Sequence, residues 1–364
     1  MLNRKRGKVL AIQRTTAFMQ ELMVAIDGES APAVNYRHLS PDVFPGDLVE
    51  LNTTAVDLGL GTGGVHFVIT CIDGCERSEV SSIEPERKVD GHIMKLRYTP
   101  LQLATLCAEE ENSSYHNLLK HADSLESMPV MVASLHSLIA PIAVVFQHTV
   151  PKPARLVYIM TDGAALPVGF SRLVALLKSR RLITATITIG HAFGGDLEAV
   201  NIYSGLLAAR HVLKADACIV AMGPGVVGTG TPFGTTAIET AAILDGVNAL
   251  GGRPVAVPRI SFADERTRHH GLSHHTITAL GRLCYTNCFV PIPLLPNDEE
   301  RILREQIQTG NLMRHAISRV DADHTLELLK AYEIRVTSMG RSPADDPAFF
   351  RAGGAAGWLV ANWT

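Results

Sequence analysis

From Gly7 to Ile72 short runs of β-branched and aliphatic residues alternate with polar, turn-forming segments. Lys8 to Gln13, Leu22 to Ile26, Ala33 to Tyr36, Leu48 to Thr53 and His66 to Ile72 suit a pleated, half-buried surface and predict five strands, with Pro45-Gly46-Asp47 as the turn before the fourth. Five short strands so close together fit a small β-barrel-like domain or a compact sandwich. The polar stretch 73–90, which carries Pro85, reads as a linker excursion. His92 to Tyr98 then predicts a strand, and Thr99-Pro100 the N-cap and first turn of a helix running to about Glu111. Residues 112–128 are polar and lack a period, so the boundary falls here: a β-rich domain over 1–110 and a second domain over 111–364.

From Val130 the pattern changes. Apolar runs at Val130–Ser134, Arg155–Thr161, Ala185–Ile189, Ala217–Met222, Pro254–Pro258 and Cys288–Ile292 alternate with helical segments at Phe170–Arg180, Leu197–Val212, Thr236–Leu250 and Ser273–Leu283. Such alternation predicts an α/β domain, a mostly parallel, doubly wound sheet with helices on both faces. Asp298–Thr309 and Asp321–Tyr332 add two helices, and the apolar tail Phe349 to Ala361 is expected to dock back onto the body.

Composition narrows the function classes. With 46% hydrophobic and 19% charged residues the chain is too apolar for disorder, and its thirty glycines and nineteen prolines follow no period, which excludes collagen-like and solenoid architectures. A formal charge of -3 gives no global positive field for nucleic acid. The Arg4-Lys5-Arg6 and Lys8 cluster is basic, but the β-rich region lacks interleaved aromatics on which bases would stack. Val130 to Val145, the longest apolar stretch, is broken by Ser134, His136, Ser137 and Pro141 and is too short to span a bilayer. The first residues carry no signal-peptide core, so a cytoplasmic protein without a membrane span is expected. Cys71 and Cys75 share their spacing with Cys284 and Cys288, but structural zinc sites favour a two-residue spacer; buried, inert thiols are the plainer reading.

Fifteen histidines against seven tyrosines and two tryptophans is the unusual feature of this composition. In an open parallel sheet ligands bind beyond the carboxyl ends of the strands, where loops and helix N-termini converge. Those positions carry His136 after the first predicted strand, Asp162 after the second and Gly190-His191 through Asp196 after the third. They carry the glycine-rich segment Gly223 to Thr231 after the fourth, and Arg259 with His269, His270, His274 and His275 after the fifth. Singly, several have plain explanations: His136 as a hydrogen-bonded core histidine, Asp162 as a turn cap, Asp196 as the N-cap of the next helix. Four histidines within seven residues exceed what a solvated loop needs. His274 and His275 also adjoin a helix start capped by Ser273, where the dipole favours neutral imidazole. Gly223, Gly225 and Gly228 match the G-x-G-x-x-G spacing, but Pro224, the glycines at 230 and 234 and a misplaced Asp245 argue against a dinucleotide site. Their amides, the hydroxyls of Thr229 and Thr231, and Arg259 form instead a general anion-binding set. The loop 52–66 of the first domain, with four glycines, reads either as a plain connection or as a wall of the cleft.

The phrases Leu51-Asn52-Thr53-Thr54-Ala55-Val56-Asp57-Leu58-Gly59, His92 through Pro100 and Thr161-Asp162-Gly163-Ala164-Ala165-Leu166-Pro167 resemble a bacterial family of uncharacterised proteins, the domain of unknown function 3866 family. So do Gly190 through Asp196, Met222-Gly223-Pro224-Gly225 with Gly228-Thr229-Gly230-Thr231, and Gly271 through Thr276. The resemblance implies a bacterial, cytoplasmic protein and carries over no catalytic residue.

The residues together predict an enzyme acting on a small phosphorylated or carboxylated metabolite by hydrolysis or transfer. His191, Asp162, His136, His275 and Asp196 are the acid/base candidates, and Gly223, Gly225, Gly228, Thr229, Thr231 and Arg259 the anion holders. A divalent metal is an optional cofactor, with His274, His275, His191 and Asp196 as candidate ligands. The alternative is a regulatory module that binds a metabolite or nucleotide and turns nothing over. A small-molecule ligand is the expected partner, and a homo-oligomer stays open.

Overall fold

In the computed structural model, which describes residues 2–59, 64–74, 91–164 and 166–364, the chain forms two compact units divided between residues 104 and 105, six residues before the boundary expected from composition. The β-rich segments of the first unit close into a barrel. Its strands are β1 (Arg4–Thr15), β2 (Met19–Ile26), β3 (Glu29–Tyr36), β4 (Leu48–Asn52) and, after the one-turn helix α1 (Thr54–Asp57), β5 (His66–Asp73). The order is β1-β2-β3-β5-β4 with β4 returning to β1, and β3–β5 is its parallel pair. This is the connectivity of an OB-type five-stranded Greek-key barrel. Val9, Leu22, Val24, Val49, Leu51 and Val68 fill its interior. Within the basic cluster, Arg4 pairs with Glu50 and Lys5 with Asp27, so acidic neighbours offset part of its charge.

A two-stranded ladder of β6 (Ile93–Lys95) and β7 (Leu103–Thr105) ends this unit. The helix expected from Thr99 does not form. The Thr99 hydroxyl donates to Leu96 O and accepts from Leu101 N, a local turn that competes with a helical start, and Leu103–Thr105 pairs as strand instead.

The second unit begins with α2 (His116–Leu119) and continues β8 (Pro129–Ala133), α3 (Ile139–Thr149), β9 (Leu156–Thr161), α4 (Arg172–Ser179), β10 (Ala185–Ile189), β11 (Leu197–Ala199), α5 (Ile202–Leu207), β12 (Ala217–Met222), α6 (Glu239–Ala249) and β13 (Arg253–Val257). A short hairpin of β14 (Ile260–Ser261) and β15 (Gly271–Leu272) leads to α7 (His274–Thr278), β16 (Phe289–Pro293), α8 (Asn297–Thr309), β17 (Ala316–Val320), α9 (Thr325–Ala331) and α10 (Pro347–Ala361). Eight strands form one sheet in the order β11-β10-β9-β12-β8-β13-β16-β17, all parallel.

Side chains alternate between its two faces. Val130 and Val132 of β8 join a core with α5, α6 and α8, while Met131 and Ala133 join another with α3, α4 and α9. The sheet is therefore doubly wound and buried on both sides, which explains its nearly unbroken apolar strands. The tail, α10, lies buried against α3. A Cβ at Gly357 would come 2.5 Å from Ile142 O, so only glycine allows that approach.

One predicted helix starts later, and a hairpin and a strand form that the sequence pattern does not predict. Leu197 opens the edge strand β11, and the helix starts at Ile202 under an Asn201–Ser204 capping box, so Asp196 caps no helix. The segment after β13 holds the β14–β15 hairpin, and Ala316–Val320 forms the outermost strand β17. Val130–Val145 divides into β8 and α3, and among the described residues no helix is long and apolar enough to cross a membrane.

Connections leave β8 and β9 in one direction along the sheet and β12 and β13 in the other. Crevices therefore open at the carboxyl ends between β8 and β13 and between β9 and β12, the places where this architecture binds ligands.

Candidate functional site

After β13 the chain passes Arg259 into the β14–β15 hairpin, whose connection carries Asp264, Arg266, Arg268 and His269. Ser273 then caps α7, its hydroxyl accepting from His275 N at 3.3 Å. The hairpin and the cap bring three imidazoles together. Ring centroids of His269, His274 and His275 lie 4.3–5.0 Å apart, and one nitrogen from each falls within 4.8 Å of the other two. Nδ1 of His269 is 2.8 Å from Ser273 Oγ, whereas Nε2 of His274 and Nδ1 of His275 are buried without a hydrogen-bond partner among the described residues. Nitrogens bound to one tetrahedral ion sit roughly 3.4 Å apart, so a modest contraction brings this set to a metal.

Burial foremost disfavours protonation here, followed by Arg259 and Arg266 at His269, by His274 and then the guanidinium groups at His275, and by Arg268 at His274: His269 is pushed down to about 3, His275 to about 4, and His274 in the same direction. The imidazoles are neutral near pH 7, the form that ligates metal.

An ionic knot fixes the segment. Asp264, its side chain 2% exposed, accepts from Arg259 at 3.1 Å, Arg266 at 2.8 Å and Arg341 at 3.2 Å. Hydrogen bonds from Arg266 lead in holding its carboxyl well below the usual range. Asp346 accepts from Ser261 Oγ at 2.6 Å and from Arg341 at 3.1 Å. Gly228 closes the other side: a Cβ there would lie 3.4 Å from Cε1 and Nε2 of His275. A cavity of about 10 Å³, room for roughly one water, separates the ends of β8 and β13 and is walled by Ser134, Ala256, His275 and Thr276.

The other crevice holds a different chemistry. Asp162 Oδ2 accepts from His191 N at 3.0 Å, and Gly190 between them has a φ of 61° and no room for a Cβ, which would lie 2.2 Å from that oxygen. Glu239, at the start of α6, accepts from Thr161 Oγ1 at 2.7 Å, and burial, reinforced by Asp162, pushes its carboxyl up to about 6.

The remaining predicted residues are engaged in structure. His136 places Nε2 2.6 Å from Ser171 Oγ and Nδ1 3.3 Å from Met222 O, and burial pushes it down to about 4. Asp196 accepts from Lys178 at 2.6 Å and from Thr186 N at 2.7 Å. Arg259, 3% exposed, is committed to Asp264. The hydroxyls of Thr229 and Thr231 are 3.0 Å apart and bonded to Gly234 within their own loop. Gly223 and Gly225 line a separate cleft with His136. Cys284 and Cys288 are buried with sulfurs 3.6 Å apart; Cys75 and residues 60–63 of the first-unit loop lie outside the described residues.

Sequence reasoning singled out His274 and His275 as ligands but not His269, whose signal was the spacing of one histidine five residues before an adjacent pair. It also missed Asp264, flanked by Arg259, Arg266 and Arg268, and Glu239, the carboxylate of the first turn of a mostly apolar helix.

A search of curated proteins finds no match to this sequence. The family described as protein of unknown function (DUF3866) matches residues 32–357, from within β3 of the barrel through nearly all of the α/β unit, and the chain belongs to that family.

Proposed function

We propose that the α/β unit is an enzyme of the bacterial cytoplasm that uses a divalent metal held by His269, His274 and His275 for hydrolysis or group transfer on a small phosphorylated or carboxylated metabolite. The supporting observation is the convergence of three neutral imidazoles in which Nε2 of His274 and Nδ1 of His275 are buried without partners. Buried polar atoms of that kind are costly unless something satisfies them. The Ser273 hydroxyl accepts a hydrogen bond from the Nδ1–H of His269 and so leaves its Nε2 lone pair for the ion, the way outer-sphere partners orient ligands. Three protein ligands leave a position for water or substrate, and the metal supplies Lewis acidity there. Arg268, exposed on the rim, meets the substrate's anionic group, and the knot around Asp264 holds the histidine segment in place.

The test is metal analysis of untagged protein after exposure to zinc or manganese and gel filtration. About one equivalent per chain is expected, falling at least tenfold in His274→Ala and His275→Ala. No bound metal in the wild type, or equal content in both variants, overturns the reading. Bound metal without turnover of any phosphate or carboxylate ester would favour the regulatory alternative.

A further inference from the structure

A second cleft, of about 390 Å³, opens beyond the carboxyl ends of β8 and β12. His136 and the segment Gly223–Val226 line it, with Leu173 and Leu176 of α4 on one side and residues 335–339 on the other. Its size suits a small molecule rather than a single ion. The charge of its lining is one-sided: Arg172 and Arg335 are present, and no carboxylate is. Arg335 is exposed and makes no ion pair or hydrogen bond among the described residues. His136 adds no charge, because both its nitrogens are engaged and its ring is buried. Leu135, Leu173, Leu176, Val226 and Val336 make the rest of the wall mainly apolar. We propose that this cleft is a binding site for a small organic anion, an apolar body carrying one carboxylate or phosphate group. The apolar part lies along Leu173, Leu176 and Val226, and the anionic group meets Arg335. The site is independent of the three-histidine centre: none of the three histidines lines it.

Isothermal titration of the full chain with phenyl phosphate tests this, with benzyl alcohol as the uncharged counterpart and inorganic phosphate as the anion without a body. Phenyl phosphate is expected to bind at least about tenfold more tightly than either, and Arg335→Glu to weaken it by about tenfold or more. Arg335 is solvent-exposed, so the variant should keep the wild-type melting temperature, which is measured alongside. His275→Ala is expected to leave the affinity unchanged. No binding at millimolar phenyl phosphate, equal binding of benzyl alcohol, or indifference to Arg335→Glu overturns the proposal. Loss of binding in His275→Ala instead of Arg335→Glu would place the anion at the imidazole centre, refuting this site while leaving the metal reading intact.

Discussion

His136 and His275 are both largely buried, one after β8 and the other after the hairpin that follows β13, and both are pushed down to about 4 by burial. They differ in what their nitrogens touch. Those of His136 reach Ser171 and the Met222 carbonyl, so its polar needs are met inside the fold. Nδ1 of His275 has no hydrogen-bond partner among the described residues, and neither does Nε2 of its neighbour His274. Burial and pKa therefore do not tell the two apart; hydrogen-bond satisfaction does, and it is what makes His275 and not His136 a candidate ligand. The same contrast extends to carboxylates: Asp264 is saturated by three guanidinium groups, while Glu239 keeps one strong partner and a raised pKa.

The largest expected effect comes from the knot beneath the histidine centre. Asp264→Ala leaves Arg259 buried and without its carboxylate, which should cost about 3–5 kcal/mol in chemical denaturation. Because the knot anchors the segment carrying His269, metal content should fall with it. Retained stability would mean that Arg259 and Arg341 find other partners, and that the two histidine regions are not held differently.

Next comes the direct contrast. His136→Ala removes a satisfied side chain and should lower stability by about 2–3 kcal/mol while leaving metal content unchanged. His275→Ala removes an unsatisfied one, so the metal-free protein should lose little stability while metal binding falls at least tenfold. Reversed results, metal lost in the first variant and stability in the second, would defeat the distinction.

Glu239 gives a pH-resolved test of comparable size. Its carboxyl is raised in the folded state from 4.5 to about 6, so its contribution is fully present below about pH 4.5 and is lost as pH rises through 6. At pH 7.5 the ionised side chain costs about 2 kcal/mol. Glu239→Gln, which can still accept from Thr161, should be more stable than wild type by that amount at pH 7.5 and equal to it near pH 4. A stability difference that does not change with pH would show that Glu239 titrates like an exposed carboxylate.

Much of the fold was legible because the chain's periodicity reports burial on both faces of the sheet. Of the six strands predicted for the α/β domain, Ala185–Ile189 and Ala217–Met222 match their bounds, and the other four shift by one residue at one or both ends. The errors fall where local propensity and tertiary pairing compete. Leu197–Ala199 has helical company downstream but pairs with β10, and Thr99-Pro100 offers a helix start that a turn overrides. At the site, the histidine segment was legible from its density alone. The destination of each polar side chain was not: Arg259 looked like an anion holder and is spent on Asp264, and Thr229 and Thr231 are spent on each other and on Gly234. Such pairings depend on how one irregular loop folds back on itself, and no spacing rule encodes them.

Asp196 supplies the smallest and most discriminating case. It was both an acid/base and a metal candidate, yet its carboxylate is occupied by Lys178, Thr186 N and the Thr186 hydroxyl. The Lys178 pair is about 36–42% exposed, so solvent screens it and its worth is below about 1 kcal/mol. Asp196→Asn keeps an oxygen for Thr186 N and loses mainly that screened attraction. The expected outcome is a loss of stability under about 1 kcal/mol, shrinking further in high salt, with metal content unchanged. A fall in metal content would mean that a carboxylate with every visible partner structural still serves the centre, and that counting partners does not locate ligands in this protein.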